Sequence, residues 1–443
     1  MSTDSKLRVL IVGASIAGPA AAYWFAKAGA DVTIIERFTQ LRTNGQNVDI
    51  RTVGVTVMRK MAGMETAVRA KTVPMAGINF VDTNGRPFAT IRATGNPDQQ
   101  SLVSEYEIGR GDLSQILFDL TKHTKNIRYV FGEQLSSIQQ PENNGPVTAT
   151  FTNGILPPQD FDLIVACDGA TSRTRALALN CPVREHMHPL NSWAAWFTIP
   201  SSALPNNKSP HGQSYSAPGG RFLALGPDPN HPSSTRITLM TFHPPTAPPS
   251  ASVMTPFRQA QSQGNTALKQ YIHDHFHDAG WQTAAIVQAM LASPSSSSSD
   301  RDDGDNFYAT EIAQVKTPCL FQGRVVFVGD AGYAPGPTGA GTSLALAGAY
   351  VLAGEVGVKH QGDLGGGLRG YEAVMRPVVG ELQQVSGLVR GVLAPQTRWG
   401  LGVRNWVLWF VCWARVVEVV QRFVVPVFGK REEGGLPEYE WAA

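Results

Sequence analysis

The chain has 443 residues, 42% of them hydrophobic, so it is long enough to bury a large core and to form two or more domains. A formal net charge of +2, without basic clusters, argues against a protein that binds nucleic acid through a cationic surface. The four widely spaced cysteines form no CxxC pair, which indicates free thiols in a reducing compartment and argues against structural zinc. The first apolar run leads into a strand and a glycine turn, and not into a small-residue cleavage site, so we expect an intracellular, cytoplasmic protein.

The first elements along the chain form a βαβ unit. An apolar run over Leu7–Val12 predicts a strand, and an Ala-rich stretch over Ile16–Lys27 predicts a helix that ends at Gly29. A second strand, "DVTIIER", begins at Asp31. Gly13 allows the chain to turn, and Gly18 allows helix and strand to pack closely, so the helix N-terminus can receive a pyrophosphate.

Glu36 and Ser15 bear on whether this turn binds a nucleotide. Glu36 ends the second strand, 36 − 13 = 23 residues after the first glycine, where a carboxylate can hold ribose hydroxyls. Ser15 stands where the fingerprint usually has its second glycine, and its Cβ crowds the phosphate, although its hydroxyl is able to donate. We favour a nucleotide cradle over a plain βα turn, while the fingerprint alone does not separate NAD from FAD. A nucleophile elbow is excluded because GxSxG requires glycine at position 17.

Further along, two predicted buried strands that end at acidic residues flank a segment of different amino-acid composition. "FDLIVACDG" and "GRVVFVGDAG" are apolar throughout, as parallel strands buried on both faces are. Residues 181–249 read as antiparallel sheet with long loops, 256–291 as helical, and 293–305 as a low-complexity surface loop. "MAGINFVDTNGRPFATI" reads as a hairpin turning at Asn84-Gly85. We predict an α/β fold in which a Rossmann-like domain (1–76, 104–180 and 306–370) carries an inserted mixed sheet (77–103 and 181–305) and a C-terminal helical segment (371–443).

Two later motifs identify the family that the chain resembles. "DGATSRTR" (Asp168–Arg175) and "GDAGYAPGPTGAG" (Gly329–Gly341) resemble the DG and GD motifs of the class A flavin-dependent aromatic hydroxylases, the para-hydroxybenzoate hydroxylase superfamily. The resemblance implies that FAD is the cofactor, that Asp330 holds its ribityl chain, and that the PGPTGAG loop lies beside the isoalloxazine ring. The DG motif is linked in that family to FAD and to transient NADPH handling, although Asp-Gly after a strand is also a common turn.

Within this superfamily, two segments resemble the tetracycline-inactivating flavin monooxygenases. They are "NVDIR" (Asn47–Arg51) and "EIGRGDL" (Glu107–Leu113). The resemblance implies that Arg110 contacts FAD and that Asp49 and Arg51 lie near the ring. The alternative for Arg110 is a surface ion pair with Asp112 or Glu107. For Arg51, the sequence favours a contact with FAD and the absence of one about equally.

Together, the motifs and the resemblance give one set of candidate site residues. We predict cofactor contacts from Gly13, Ser15, Ile16, Ala17, Gly18, Glu36, Arg37, Asp49, Arg51, Arg110, Asp168, Gly329, Asp330, Pro337, Gly339, Ala340, Gly341 and Thr342. Approximate alignment with the tetracycline-modifying enzymes adds Trp193, Arg221 and Pro337 as substrate contacts. No catalytic side chain is assigned, because a phenolate substrate supplies its own electronic push.

The implied reaction is a monooxygenation. In the family, NADPH reduces FAD, O₂ adds at C4a of the reduced flavin, and one oxygen atom passes to an electron-rich aromatic or polycyclic substrate. Three alternatives stay open: a halogenase, a polyprenyl-lipid reductase on the same fold, and a flavin-binding protein without turnover. "WAAWFTIP" (Trp193–Pro200) is similar to the WxWxIP halogenase signature, but its tryptophans are three apart and point to opposite faces of a strand.

Histidine clusters do not predict a metal site. His273 and His277 lie four residues apart on one helix face, but no third ligand stands at a known spacing, so we interpret "HDHFHD" as a solvated helix face. "HMH" at residues 186–188 has the same interpretation.

The C-terminal region 404–424 has helical periodicity. Arg404, Arg415 and Arg422 fall on one side and an apolar group containing Trp406 and Trp413 falls opposite. The longest uncharged run, 405–414, is too short to span a bilayer. The apolar side either packs on the core or lies in a membrane interface. We favour the core. The sequence indicates no oligomeric state.

Overall fold

The computed structural model describes residues 6–42, 45–72, 76–93, 105–141, 145–204, 211–228, 231–244, 251–293, 307–384, 394–414 and 435–441. The strands are β1 (Arg8–Val12), β2 (Asp31–Glu36), β3 (Asn47–Asp49), β4 (Gly77–Val81), β5 (Pro87–Arg92), β6 (Glu107–Gly109), β7 (Ile127–Phe131), β8 (Leu135–Gln139), β9 (Val147–Phe151), β10 (Gln159–Phe161), β11 (Leu163–Ala166), β12 (Met187–Pro200), β13 (Gly212–Ala217), β14 (Arg221–Pro227), β15 (Ser234–Phe242), β16 (Tyr308–Val315), β17 (Phe321–Gln322) and β18 (Val325–Phe327). The helices are α1 (Ala17–Lys27), α2 (Val53–Lys60), α3 (Met64–Arg69), α4 (Arg110–Thr121), α5 (Arg173–Leu179), α6 (Ala251–Ser262), α7 (Asn265–Phe276), α8 (Thr283–Ala292), α9 (Asp330–Tyr333), α10 (Gly341–Gly354), α11 (Leu364–Leu382) and α12 (Arg398–Trp413).

The first sheet is the centre of a three-layer domain. Its strand order is β17-β18-β11-β1-β2-β7, and every pairing is parallel except that of β17 with β18. Alternate residues of β1 pack on opposite sides: Val9 and Ile11 join a core with α1 and α10, while Leu10 and Val12 join a core with the antiparallel sheet β10-β9-β8. Because both faces are covered, the strands are apolar throughout.

The second sheet has the order β16-β12-β15-β14-β13-β4-β5, with β13 and β4 parallel and the other pairs antiparallel. Helices α6, α7 and α8 cover one of its faces with a separate apolar core that includes Trp193, Phe257 and Ile286. The predicted hairpin is present between β4 and β5, with Gly85 at φ +76°. The predicted α/β class with an inserted mixed sheet is therefore confirmed.

The strand pairing places one domain boundary at a different position from the predicted one. β16, at residues 308–315, pairs along β12 and so belongs to the inserted sheet rather than to the Rossmann-like domain that was expected from residue 306. A long antiparallel pairing of this kind satisfies the backbone groups of both strands, which no sequence motif signals. The low-complexity segment 293–305 lies outside the described residues, apart from Ser293.

The residues after α9 complete the first domain. Helix α10 is almost wholly buried, and residues 435–441 pack beside it, where the Tyr439 hydroxyl donates to Glu355 Oε1 at 2.9 Å. Among the described residues, one helical stretch, Gly341–Lys359, is long and apolar enough to cross a membrane. It is 83% buried inside the protein, as the core helix of a globular domain is.

Helix α12 packs against β5, at the edge of the inserted sheet, with an orientation opposite to the favoured prediction. Arg404 is its buried residue, at 8% exposure, whereas Trp406 and Trp413 are 62% and 69% exposed. The expectation that the apolar side packs on the core is therefore wrong for the described part of this helix. Residues 415–424 of the predicted helix lie outside the described residues.

Candidate active site

The turn from β1 into α1 forms a cradle that only glycine permits. Gly13 has φ +109°, and a Cβ there would lie 2.6 Å from the Cys167 carbonyl oxygen. A Cβ on Gly18 would lie 1.9 Å from the Gly13 carbonyl oxygen. No side chain caps the start of α1 at Ile16, and Ala17 begins the helix, so the first N–H groups are available to an anion.

Ser15 and Arg110 meet at this cradle. Arg110 Nη2 donates to Ser15 Oγ at 3.1 Å, and Ser114 Oγ lies 3.3 Å from the same oxygen. The alternative ion pairs are not formed, because Asp112 pairs with Lys71 at 2.9 Å and Glu107 accepts from the amide of Asn47 at 2.8 Å. The serine that departs from the glycine fingerprint therefore holds a guanidinium beside the N-terminus of α1.

Glu36 lies at the end of β2, one strand away from the cradle. Its Oε2 accepts from the Ala14 N–H at 2.9 Å, and its Oε1 accepts from the Phe38 N–H at 3.2 Å. Each oxygen keeps a second lone pair for a further donor such as a ribose hydroxyl. Arg37, the next residue, is exposed.

The side chains of the DG motif form hydrogen bonds within the motif and to the segment after β18. The Asp168 carboxylate accepts from the Ser172 hydroxyl and from the Thr174 N–H at 3.1 Å, and Ser172 Oγ in turn accepts from the Arg175 N–H at the start of α5. Arg175 is buried and donates to the Ala331 carbonyl oxygen at 2.7 Å. The motif therefore clamps the loop after β11 onto the segment that follows β18.

That segment, the GD motif, packs directly on the cradle. Gly329 has φ +64°, and a Cβ there would lie 3.3 Å from the Cβ atoms of both Ala17 and Ala345. Asp330 follows, and it is exposed at this edge of the sheet. Desolvation by the surrounding protein raises the pKa of Asp330, and the nearby Arg110 guanidinium opposes this rise. Asp330, Asp168 and Glu36 follow parallel strands of one sheet, so all three lie at the same sheet edge.

The PGPTGAG loop and the strand β3 meet on the other side of Asp330. A Cβ on Gly339 would lie 3.5 Å from Asp49 Oδ2, and one on Gly341 would lie 3.7 Å from Asp330 Oδ1. Asp49 pairs with Arg51 at 3.0 Å. Helix α10 begins at Gly341 and Thr342, after Ala340, without a side-chain cap, and Pro337 is half-buried in the loop. A second free helix N-terminus is thus directed at the same cleft.

A cavity of about 480 Å³ lies between β3, β6 and the uncovered face of the inserted sheet. The Arg236 guanidinium joins the two domains there, donating to the Asn47 amide oxygen and pairing with Asp228 at 3.1 Å. Burial, followed by the Asp49 charge, raises the pKa of Glu107 in its wall. Its other lining residues include Lys71, Trp196, Thr198, Thr238 and Tyr308.

Trp196, rather than Trp193, faces this cavity. The Trp196 ring stacks on Tyr308 with centroids 5.8 Å apart. Trp193 has 0% exposure and stacks on Phe257 at 5.3 Å, under the helices on the opposite face. Arg221 shares that helix-covered face, where it pairs with Asp278 and donates to the His275 carbonyl oxygen at 3.0 Å. The predicted substrate contacts of Trp193 and Arg221 therefore do not fit the structure, because sheet alternation and helix packing direct both side chains away from the cleft.

The histidine pair lies on α7 and just beyond its end. The rings of His273 and His277 stack at 5.5 Å, and His273 Nδ1 lies 3.0 Å from Asp274 Oδ1. Across the described ranges, no group of three or more His, Cys, Asp or Glu side chains is arranged to hold a metal ion. All four cysteines are free thiols, as expected.

The residues of this edge fit FAD. Two helix N-termini without side-chain caps suit its pyrophosphate and the electron-rich edge of its ring. Carboxylates at the ends of β2 and β18 suit its ribose and ribityl hydroxyls. The glycines leave open the space that Cβ atoms would fill.

Comparison with known proteins agrees with this fit. Residues 6–385 match the FAD binding domain family. The FAD-dependent monooxygenase asL4 of Sarocladium schorii is 30% identical over 93% of this chain and 94% of its own length, and the monooxygenase CTB7 of Cercospora beticola is 30% identical over 99% of both. Among solved structures, the tetracycline destructase Tet(51) superposes with a TM-score of 0.72 at 24% identity, covering 98% of this chain and all of its own. Klebsiella pneumoniae HpxO in complex with FAD and uric acid superposes with a TM-score of 0.66 at 17% identity, covering 95% of this chain and 97% of its own. The chain therefore belongs to the FAD binding domain family, and it is an FAD-dependent monooxygenase.

Proposed function

We propose that this enzyme uses NAD(P)H and O₂ to insert one oxygen atom into an electron-rich aromatic or polycyclic small molecule. The observation that carries the proposal is the position of β3 between cofactor cleft and cavity. Its first residue, Asn47, lines the cavity through its amide, while its last, Asp49, lies beside the PGPTGAG loop. A substrate in the cavity is thereby next to the place where the loop holds the ring of FAD.

When bound, FAD supplies the redox and oxygen-transfer chemistry. The chain supplies binding and electrostatics: the start of α1 and Arg110 bind the pyrophosphate, Glu36 the ribose, and Asp330 the ribityl chain. The free N-terminus of α10 favours negative charge on a group held beside the loop, as a reduced ring carries. No described side chain is assigned as a general base.

The lining of the cavity favours an aromatic substrate with polar substituents. The stacked pair of Trp196 and Tyr308 offers a flat apolar wall, and Asn47, Thr198 and Arg236 offer hydrogen-bonding groups around it. The structural relative HpxO is described with uric acid, and Tet(51) is named a tetracycline destructase, so fused-ring substrates occur among proteins of this fold. We propose Trp196 and Tyr308 as substrate contacts, with Pro337 beside the ring.

The test is product analysis under ¹⁸O₂. Purified, FAD-loaded protein is incubated with NADPH and an extract of small aromatic molecules, and the masses of the products are measured by mass spectrometry. We expect a product that gains one ¹⁸O atom and a matching acceleration of NADPH oxidation. A yellow protein that neither consumes NADPH faster with any aromatic compound nor labels a product would favour a flavin-binding protein without turnover.

A further inference from the structure

The exposed face of α12 is the most apolar surface of the described chain. Nine large hydrophobic side chains of the described residues are exposed, and seven of them lie on this helix. They are Trp399, Val403, Trp406, Val407, Trp409, Phe410 and Trp413, with the tryptophans at 45–80% exposure. A concentration of large apolar side chains on one helix marks an interaction surface rather than ordinary scatter.

Helix α12 turns its apolar side outward and a charged residue inward, which is the reverse of an ordinary surface helix. Arg404 points inward, is 8% exposed and forms no ion pair with a residue that the structure describes, and burial lowers its pKa to about 10. A helix packed for an aqueous surface would place this guanidinium outside and the tryptophans inside. The outward face of α12 is therefore suited to an environment other than water.

This face is fixed to the enzyme. Just before α12, Gln396 Nε2 donates to the Phe242 carbonyl oxygen at 2.7 Å, and the Gly219 N–H donates to the Gln396 carbonyl oxygen at 2.9 Å. The helix then packs on β5 and β13 of the inserted sheet. Whatever contacts the tryptophans therefore contacts the substrate-domain edge of the protein.

Charge and composition favour a lipid surface as the occupant. The sixteen residues of α12 contain no acidic residue, and Arg398 is exposed at its start, so the outward side of the helix is complementary to an anionic surface. Tryptophan is the side chain that prefers the headgroup boundary of a bilayer, where its ring is buried and its N–H stays hydrated. At 1.5 Å per residue, the helix is about 24 Å long, which is shorter than a hydrocarbon core of about 30 Å, so it can only lie in the plane of the interface.

We propose that the tryptophan face of α12 docks in the interfacial region of an anionic lipid bilayer, as an in-plane amphipathic anchor. The proposal does not depend on the substrate assignment above, because it concerns a surface outside the cofactor cleft and the cavity. The apolar area that the bilayer covers drives binding, and attraction between Arg398 and anionic headgroups adds to it.

Co-sedimentation with vesicles tests the proposal. The FAD-loaded full chain is mixed with vesicles of phosphatidylcholine alone or with 30% phosphatidylglycerol, and its tryptophan emission is recorded with brominated lipids. We expect sedimentation with the vesicles, about tenfold stronger with phosphatidylglycerol, and quenching by the bromines. Trp399→Gln, Trp406→Gln and Trp413→Gln combined should weaken binding at least about tenfold.

A matched control carries Ile155→Gln and Leu177→Gln, which change the two other exposed hydrophobic residues of the described chain, far from α12. It should bind vesicles like the original protein. FAD content and thermal midpoint verify that both variants fold. The proposal is overturned if the original protein stays in the supernatant with both vesicle types, or if the tryptophan variant sediments equally well. A dimer that this variant converts to a monomer, without vesicle binding by either, would assign the face to a second copy.

Discussion

Arg110 Nη2 donates a hydrogen bond to Ser15 Oγ at 3.1 Å, and this contact joins the start of α4 to the phosphate cradle. The same guanidinium opposes the rise in the pKa of Asp330. One cation therefore acts on both the turn after β1 and Asp330, the positions proposed for the pyrophosphate and the ribityl chain. Because no described carboxylate pairs with Arg110, its charge is available to the cofactor.

Replacing this guanidinium should weaken FAD binding. We expect Arg110→Met to raise the Kd for FAD about 10- to 100-fold, because a hydrogen bond to a charged group contributes about 1.5–3 kcal/mol. Titration of the apoprotein with FAD, followed by flavin fluorescence, measures the effect. Lys122→Met is the matched control, since Lys122 pairs with Asp119 at the C-terminal end of α4, away from the cradle. Equal FAD affinity in the two variants would contradict the role of Arg110.

A methyl group at Gly18 should close the cradle. Its Cβ would lie 1.9 Å from the Gly13 carbonyl oxygen, so Gly18→Ala must displace backbone between β1 and α1. We expect a protein without bound FAD and with a lower thermal midpoint. Gly380→Ala is the control, because nothing lies within 4 Å of its Cβ position and α11 should gain about 0.5–1 kcal/mol from a better helix former. Retention of FAD at full occupancy by Gly18→Ala would show that the turn does not hold the cofactor.

The local backbone geometry on the cofactor side of the site follows from the sequence because its constraints act over a short range. Glycines at Gly13 and Gly18 have steric reasons that act within a few residues of chain, and an acidic residue after an apolar strand falls at the sheet edge whatever the rest of the fold does. The roles assigned to these residues toward FAD stay predictions. The family match supports FAD as the cofactor without assigning any of these residues to it.

The substrate side was harder to predict because it depends on which face of a sheet the helices cover. Alternation separates Trp193 from Trp196 correctly, but it does not say which of the two is open. A usable signal was present in the neighbours: Ala195, Phe197 and Ile199 share the apolar face with Trp193, whereas Thr198 shares the face of Trp196. The orientation of α12 was missed for a related reason, since periodicity defines two sides of a helix without saying which one meets the protein.

The two tryptophans should respond differently to truncation. Trp193→Ala removes a fully buried ring and should cost about 3–5 kcal/mol of the free energy of unfolding. Trp196→Ala removes a wall of the cavity and should lower kcat/KM for an identified substrate about tenfold or more, with a smaller loss of stability. Urea unfolding and substrate-stimulated NADPH oxidation measure the two effects. The reverse pattern, with activity lost only at Trp193, would move the substrate to the other face of the sheet.

Acid should destabilise the inserted domain through His275. Its ring stacks on Tyr271 and lies edge-on to Trp193, and burial, followed by the charges of His243 and Arg221, lowers its pKa to about 4 against the opposing Asp278. An unfolded histidine has a pKa of about 6.5, so the unfolded chain binds more protons between these two values. The contribution of His275 to the free energy of unfolding is therefore fully present above pH 6.5. It is lost as the pH drops toward 4, and the loss is on the order of 2 kcal/mol.

The measurement is the urea midpoint at pH 7.5, 6.0 and 5.0 for the original protein and for His275→Phe, which keeps a ring in the stack and cannot be protonated. We expect the variant to lose part of the pH dependence, with a smaller residual slope from His243, whose pKa burial also lowers. His277→Gln, beyond the end of α7 and facing solvent, should leave the profile unchanged. Parallel profiles for His275→Phe and the original protein would mean that this ring has the same pKa in the folded and the unfolded chain, so the tight packing of its helix-covered face would have to admit a charge.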